Sequence, residues 1–324
     1  MGDLVFIGSC AGNFYALNKT TGQPQWSYDI RQDGKQQSFH GDPLVTNDLI
    51  LIGTDKSCDP EGIGHVYAFE RSTGKVRWKY RSISVPTDIV EINSNVYFGS
   101  FQDKWSSVDL QTGSLNWSFS TGASNPDCDP PRASVADGNR LFVAGLDGVI
   151  YSLDASSGRV SWKHKLPAAP STALALRDGT IYVGTNDKKI YRLNAETGVV
   201  ISELATEARP VGRPAFADGS LYLFLENSSE RAGYLINVDS KLTGVRWKQK
   251  SSPDWASERP HLWKDFVIAG NCRGELAAFR ATDGAPQWNV SLKGCIRSIG
   301  SSDNMLFVGV QEGTIYAYDL RFSR

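Results

Sequence analysis

Residues 150–162 read Ile-Tyr-Ser-Leu-Asp-Ala-Ser-Ser-Gly-Arg-Val-Ser-Trp, and this stretch decides the fold. Its first five residues alternate as expected for a strand with one buried face, because successive strand side chains point to opposite faces. Ser157-Gly158 then marks a turn, and Trp162 follows the glycine by four residues. The pattern predicts two antiparallel strands joined by a glycine turn.

The same unit recurs along the chain. The glycine turn and its tryptophan repeat as Thr21-Gly22 with Trp26, Thr73-Gly74 with Trp78, Thr112-Gly113 with Trp117, and Asp283-Gly284 with Trp288. Self-similarity at a fixed period is the mark of a repeat architecture.

Two neighbouring copies depart from the repeat. In the fifth, Thr197-Gly198 is followed by Ser202 at the tryptophan position. In the sixth, Trp247 comes only three residues after Gly244. Asp239 nevertheless precedes Trp247 by as many residues as Asn18 precedes Trp26, so we expect a remodelled turn with the strand register kept.

A run of β-branched and aromatic residues ending in a small residue precedes each unit, as in Tyr182-Val183-Gly184. From the second copy onward, the copies lie roughly 40 to 46 residues apart with no helical pattern between them, the spacing of four-stranded propeller blades. We therefore predict an all-β fold: an eight-bladed β-propeller of four-stranded antiparallel blades, forming a single domain over residues 1–324. The blades fall approximately at residues 1–30, 38–81, 84–120, 131–165, 170–204, 210–249, 258–291 and 294–321.

The first and last blades are expected to be incomplete. The chain begins at the second strand of blade one and stops after the third strand of blade eight. We infer an N-terminal truncation that removed a closing segment. No signal peptide is visible at the start, and the missing segment could have carried one, so this absence does not indicate the compartment.

Strand, glycine turn, Ala-Leu-Asp/Asn strand, Thr-Gly turn and tryptophan strand together resemble the pyrroloquinoline-quinone (PQQ) type of repeat. That family includes quinoprotein alcohol dehydrogenases and the propeller lipoprotein of the bacterial outer-membrane barrel-assembly machinery. The resemblance implies a periplasmic or secreted bacterial protein. It also implies that the repeated tryptophans dock between blades, a role that falls here to Trp26, Trp78, Trp117, Trp162, Trp247 and Trp288.

Composition excludes some partners. The formal net charge is −1, from 34 basic and 35 acidic residues, so the overall balance favours neither nucleic acid nor a membrane surface. No apolar run approaches the roughly 18 residues that a membrane span needs.

The innermost strands carry the sharpest candidate site. Alignment to the following glycine places Asp42, Asp88, Arg132, Ala173, Arg213 and Arg259 at equivalent positions near the channel mouth, with Arg297 and Ser298 in blade eight and His40 close by. Converging arginines suit a carboxylate or phosphate. The alternative is that these arginines and aspartates pair with one another across blades.

Cysteines and acidic residues of the variable loop face give weaker candidates. Cys58 with Cys128, and Cys272 with Cys295, are placed to form disulfides, whereas five free thiols would indicate the cytosol. Asp55, Asp59 and Glu61 are weak candidates for calcium ligands, because their spacing matches no known loop.

We expect a non-catalytic scaffold, without a cofactor, that uses the variable loop face and channel mouth to bind a protein, a peptide or a small anion. The alternative is an oxidoreductase dependent on PQQ and calcium. In those enzymes, the resemblance implies a quinone held between a tryptophan and a disulfide of adjacent cysteines, and this sequence has no adjacent pair. Trp255 and Trp263 are expected to serve core packing or loop anchoring, with an exposed stacking surface as the alternative.

Overall fold

A computed structural model of the chain describes residues 2–9, 11–34, 38–55, 62–85, 87–123, 134–251, 255 and 259–322. It divides into two compact units, Met1–Leu166 and Pro167–Arg324. Each unit holds four small antiparallel sheets, so the predicted eight-bladed propeller is confirmed. The described residues include no helix long and apolar enough to cross a membrane.

The first unit contains blades one to four. Their strands are β1 (Leu4–Gly8), β2 (Asn13–Asn18) and β3 (Pro24–Asp29); β4 (Ser38–Val45), β5 (Leu49–Asp55), β6 (Ile63–Glu70) and β7 (Val76–Ile83); β8 (Val90–Ile92), β9 (Asn95–Ser100), β10 (Lys104–Asp109) and β11 (Leu115–Ser120); β12 (Val135–Asp137), β13 (Arg140–Ala144), β14 (Val149–Asp154) and β15 (Val160–Lys165). A 3₁₀ turn, Ile30–Asp33, follows blade one.

The second unit contains blades five to eight. Their strands are β16 (Ala175–Arg177), β17 (Thr180–Thr185), β18 (Lys189–Asn194) and β19 (Val200–Ala205); β20 (Arg209–Ala217), β21 (Ser220–Asn227), β22 (Ala232–Asp239) and β23 (Val245–Ser251); β24 (His261–Trp263), β25 (Phe266–Gly270), β26 (Glu275–Arg280) and β27 (Pro286–Ser291); β28 (Ile296–Ser302), β29 (Met305–Val310) and β30 (Ile315–Asp319). The sheets of blades one and eight have three described strands each, as predicted.

The hydrophobic core lies between blades, because each sheet buries both of its faces. Strand β6 shows how: Tyr67 and Phe69 pack in a cluster shared with blade one, whereas Val66 and Ala68 pack in a cluster shared with blade three. Because successive side chains point to opposite faces of the strand, β6 contributes residues alternately to the two interblade cores on either side of it. This explains why the middle strands are apolar on both faces.

The repeated tryptophans join one blade to the next. The indole N–H of Trp78 donates to the carbonyl of Leu110 in blade three at 3.0 Å. The same bond is made by Trp26 to Arg71 O at 3.0 Å, by Trp117 to Ala155 O at 2.8 Å and by Trp247 to Ala281 O at 2.9 Å. Trp162 packs on Phe142 of its own blade, and Trp288 packs against the core of blades seven and eight.

The turn glycine of the next blade completes this contact. Gly113 has a φ of +70°, and a Cβ built on it would lie 2.6 Å from the Trp78 ring. Gly74, Gly158 and Gly284 meet Trp26, Trp117 and Trp247 in the same way. Glycine is required twice over, because a side chain would be strained by the positive φ and would also displace the indole.

The two departures from the repeat belong to one junction. Blade five carries Ser202, whose hydroxyl donates to Lys241 O of blade six at 3.0 Å. Gly244 of blade six has open space where other turn glycines meet a tryptophan, and Leu242 takes the positive φ of the turn instead. Trp247 still lies opposite Asn237, as Trp26 lies opposite Ala16, so the predicted register is confirmed.

Replacing a docked tryptophan is expected to weaken the fold far more than altering the junction that lacks one. Trp78→Ala should lower the free energy of unfolding by about 3–5 kcal/mol, because it leaves a cavity and an unpaired carbonyl. Ser202→Ala should cost about 1 kcal/mol, the value of one hydrogen bond. Urea unfolding followed by circular dichroism measures both, and equal losses would contradict the docking role.

Candidate functional site

The inner strands of the first unit bring two predicted site residues together. The backbone N–H of Asp42, on β4, donates to Oδ1 of Asp88 at 2.8 Å. Asp42 is exposed, and Asp88 is half-buried. The His40 side chain and all of Arg132 lie outside the described residues. The Asp88 carboxylate at the start of blade three thus accepts a hydrogen bond from the main chain of blade two.

The second unit places arginines on three successive blades. Arg213 is half-buried on β20, next to Gly212, whose carbonyl accepts from the N–H of Ala173 in blade five at 2.9 Å. Arg259 is exposed before β24. Arg297, exposed on β28, donates from Nε and Nη2 to Gln311 Oε1 at 3.2 and 3.0 Å. An anion at Arg297 would therefore compete with a side-chain amide.

A set of acid–tyrosine pairs recurs at the turns between second and third strands. Each acid accepts a hydrogen bond from a tyrosine hydroxyl four residues later: Asp147 from Tyr151 at 2.5 Å, Asp187 from Tyr191 at 3.4 Å and Glu230 from Tyr234 at 3.2 Å. Burial raises the pKa of Tyr151, and the bond to Asp147 raises it further. Sequence reasoning missed these pairs, although the spacing is visible in the sequence.

Asp33, after blade one, is held in a related way. Its carboxylate accepts from the hydroxyls of Tyr28 and Tyr67 and, at 2.8 Å, from Lys79 Nζ. Burial opposes ionisation, but these three bonds outweigh it and hold the pKa of Asp33 below its usual value. Blades one and two are therefore joined by an ionised, fully engaged carboxylate.

Asp103 is the most unusual ionisable group described. It is fully buried in the turn between β9 and β10, with a φ of 52°. Its Oδ2 accepts from the Thr121 hydroxyl and, at 3.0 Å, from the Leu146 N–H of blade four. Its Oδ1 has no partner among the described residues. Burial raises the pKa of Asp103 to about 6, with a further raising effect from Asp147, although both hydrogen bonds lower it.

A disulfide joins Cys272, in the turn between β25 and β26, to Cys295 just before β28. It links blades seven and eight. Cys58, Cys128 and Cys10 lie outside the described residues.

Only one of the three candidate calcium ligands lies among the described residues. Asp55 is buried and accepts a hydrogen bond from the Ser38 hydroxyl at 2.5 Å. Asp59 and Glu61 lie outside the described residues. Over the part of the chain that the structure describes, no group of three or more His, Cys, Asp and Glu residues is arranged to hold a metal ion.

The described residues do not assemble a quinone site. Trp105 is fully buried in the core between blades three and four and packs on Phe119. Trp255 is also buried, between Phe224 and Phe279, which agrees with its expected role in core packing and not with an exposed stacking surface. Its buried indole N–H has no partner among the described residues. Trp263 is half-buried, stacked on Phe266. Within the described ranges no tryptophan faces a disulfide of adjacent cysteines, and the sequence contains no adjacent cysteine pair.

The outermost strands carry most of the exposed large apolar side chains among the described residues. Leu115, Val160, Ile201 and Val245 lie on β11, β15, β19 and β23, and Val199 immediately precedes β19. Each of these strands is the last in the hydrogen-bonded order of its sheet. Apolar side chains thus accompany open sheet edges on blades three to six.

Blades of this construction, with indoles docked on the glycine turns of the next blade, define a propeller of PQQ-like repeats. A family model described as outer membrane protein assembly factor BamB matches residues 1–129 and 106–321. Because these matches span nearly the whole sequence, the chain belongs to that family.

Curated relatives of two kinds are similar to the chain. Quinohemoprotein alcohol dehydrogenase ADH-IIG of Pseudomonas putida is 27% identical over 180 residues, 50% of this chain and 24% of the dehydrogenase. Outer membrane protein assembly factor BamB of Legionella pneumophila (strain Paris) is 23% identical over 190 residues, 57% of this chain and 46% of that factor. The match spans less than half the length of either relative.

Solved structures of low sequence identity share the fold. The crystal structure of BamB from Moraxella catarrhalis has a TM-score of 0.78 at 14% identity, covering 98% of this chain and 94% of that one. At this identity, the likeness shows the fold alone.

Asp103 is expected to make stability depend on pH. Because its folded pKa of about 6 lies above the usual 3.8, its contribution to stability is fully present below about pH 4 and is lost as pH rises through 6. The loss between pH 4 and pH 7 should be roughly 2 kcal/mol. Asp103→Asn, which cannot ionise, should remove this decline in urea unfolding, and an unchanged pH profile in the variant would contradict the assignment.

Proposed function

We propose that the chain is a non-catalytic scaffold that binds other proteins along the outer edges of its blades. The observation that carries the proposal is the row of large apolar residues on outermost strands: Leu115, Val160, Ile201 and Val245 are between 43% and 51% exposed. Edge strands present unpaired N–H and C=O groups, and extended segments of other proteins pair with such edges.

Family membership supports this reading. The matching family is described as an outer membrane protein assembly factor, and binding to proteins that assemble outer membrane proteins is the function proposed here. The Cys272–Cys295 disulfide supports an extracytoplasmic location, because disulfides persist in oxidising compartments.

The scaffold is tested with a photo-reactive amino acid placed at Leu115, Val160 or Val245. We expect crosslinks to purified barrel-assembly proteins from a bacterium that carries such a factor, because these positions border open edges. The same amino acid at Asp178, an exposed turn residue away from the outermost strands, is the matched control. Equal yields at all four positions would overturn the proposal.

The same protein preparation tests the alternative function. The described residues do not fit a quinone, so adding PQQ with calcium is expected to produce no spectral change and no alcohol-dependent dye reduction. A change in either would favour the oxidoreductase over the scaffold.

We propose as a second candidate that the arginines of the second unit bind a small carboxylate or phosphate. The supporting observation is that Arg213, Arg259 and Arg297 lie in or just before the first described strands of blades six, seven and eight. The other members of the predicted anion site belong to the first unit. They are Asp42 and Asp88, together with His40 and Arg132, whose side chains lie outside the described part of the structure.

Calorimetric titration with succinate and with phosphate tests the anion site. Arg213→Ala should abolish the binding heat, because it removes the most buried guanidinium of the three. Arg177→Ala, on an exposed arginine beside Asp178, should leave the heat unchanged. A wild-type signal equal to that of Arg213→Ala would end the proposal.

A further inference from the structure

Strand β19 has no lysine, arginine or proline, which most other outermost strands carry. Charged residues and prolines on an edge strand discourage pairing with another chain. β7, β15 and β23 contain lysine or arginine, and β3 and β27 begin with proline. β19 reads Val-Ile-Ser-Glu-Leu-Ala: it has no lysine, arginine or proline, and its one charged residue is Glu203. β11 and β30 also lack lysine, arginine and proline, but Trp117 of β11 is docked on blade four, and β30 carries none of the exposed large apolar side chains of the described residues.

Two apolar side chains stand out from the start of β19. Val199 is 60% exposed and Ile201 is 47% exposed. Because they are two residues apart along an extended chain, they point to the same side. β-branched residues favour the extended conformation that strand pairing requires.

The C-terminal end of β19 borders an open apolar groove toward blade six. Leu225, Ile236, Val245 and Trp247 line it, together with Ala205 of β19, and its volume is about 390 Å³. The ion pair of Lys248 with Glu207, at 2.7 Å, lies at its rim. This is the junction where Ser202 replaces the docking tryptophan and where Gly244 is uncovered.

The other junctions show what such a space accepts. Between blades two and three, the indole of Trp78 covers Gly113 and donates to a backbone carbonyl. Between blades five and six, the chain supplies only a hydroxyl. A large aromatic side chain from outside the chain would find apolar walls here.

The charge of β19 and its flanking residues indicates which charge a partner segment should carry. Residues 195–208 contain Glu196, Glu203 and Glu207 and no lysine, arginine or histidine. Glu203 and Glu207 are paired with Lys189 and Lys248 of neighbouring strands, at exposed positions where such pairs are weak. A partner strand with basic residues therefore complements the edge.

From these observations, we infer that β19 is the docking edge for an extended segment of a partner protein. The segment alternates β-branched residues with polar ones, places one aromatic side chain in the groove beside Ala205 and carries flanking basic residues. The inference rests on the proposed scaffold function and assigns it a site.

The test uses the full chain and a fluorescein-labelled peptide, Lys-Thr-Val-Thr-Trp-Thr-Val-Thr-Lys, with blocked ends. We expect saturable binding by fluorescence anisotropy. Ile201→Lys should weaken it at least tenfold, because a charge is placed on the pairing edge. Ile63→Lys, on a comparably exposed isoleucine of β6, should leave it unchanged. Replacing both peptide lysines by glutamate should also weaken binding at least tenfold.

Hydrogen exchange locates the peptide. Added protection is expected in residues 199–206 and not in the other outermost strands. Absence of binding, equal losses in Ile201→Lys and Ile63→Lys, or protection elsewhere would overturn the inference. So would dimerisation of the chain alone that Ile201→Lys abolishes, since a second copy would then occupy the edge. Crosslinks at Leu115, Val160 or Val245 alongside any of these results would leave the scaffold function standing without this site.

Discussion

The fold depends on one contact, an indole laid on a glycine turn of the next blade. The indole of Trp78 fills the space that a Gly113 side chain would occupy, and its N–H satisfies the carbonyl of Leu110. A small four-stranded sheet with both faces apolar has no stable existence alone, so it must bury those faces against neighbours. At the four junctions where both parts of it are described, the contact joins one blade to the next through a buried ring face and one hydrogen bond.

The junction between blades five and six lacks this contact, and the turn of blade six differs from the other turns accordingly. Without a tryptophan at Ser202, the neighbouring turn no longer needs glycine under an indole, and Leu242 takes the left-handed position. The strands remain in register, because the β22–β23 ladder keeps the irregularity seen in other blades. The junction between blades five and six therefore lacks a docked tryptophan, although the strands around it keep their register. The apolar groove beside the C-terminal end of β19 is open to solvent.

Sequence alone was sufficient for the fold because its signals are local. Gly158 and Trp162 are four residues apart, and their recurrence predicts the blade, the blade number and the two incomplete sheets. The site was harder to predict. Asp103 is unusual because the fold buries it among residues distant in sequence, such as Thr121 and Leu146, which lie 18 and 43 residues away. The alignment of inner strands predicted that Asp42 and Asp88 are neighbours, yet whether Arg213, Arg259 and Arg297 converge depends on side-chain directions that no spacing encodes.

In the docked junctions, the acceptor of the indole N–H is a main-chain carbonyl: Arg71 and Leu110 are unlike as side chains but offer the same oxygen. A mutation on the receiving blade can replace the side chain and cannot remove the acceptor. The contact between the indole and the glycine turn thus requires a particular residue type at only a few positions of each repeat, and the other positions can vary. An ancestral blade could be duplicated and then drift far in sequence while its copies continued to fit. This accounts for a shared architecture at 14% identity with a solved relative.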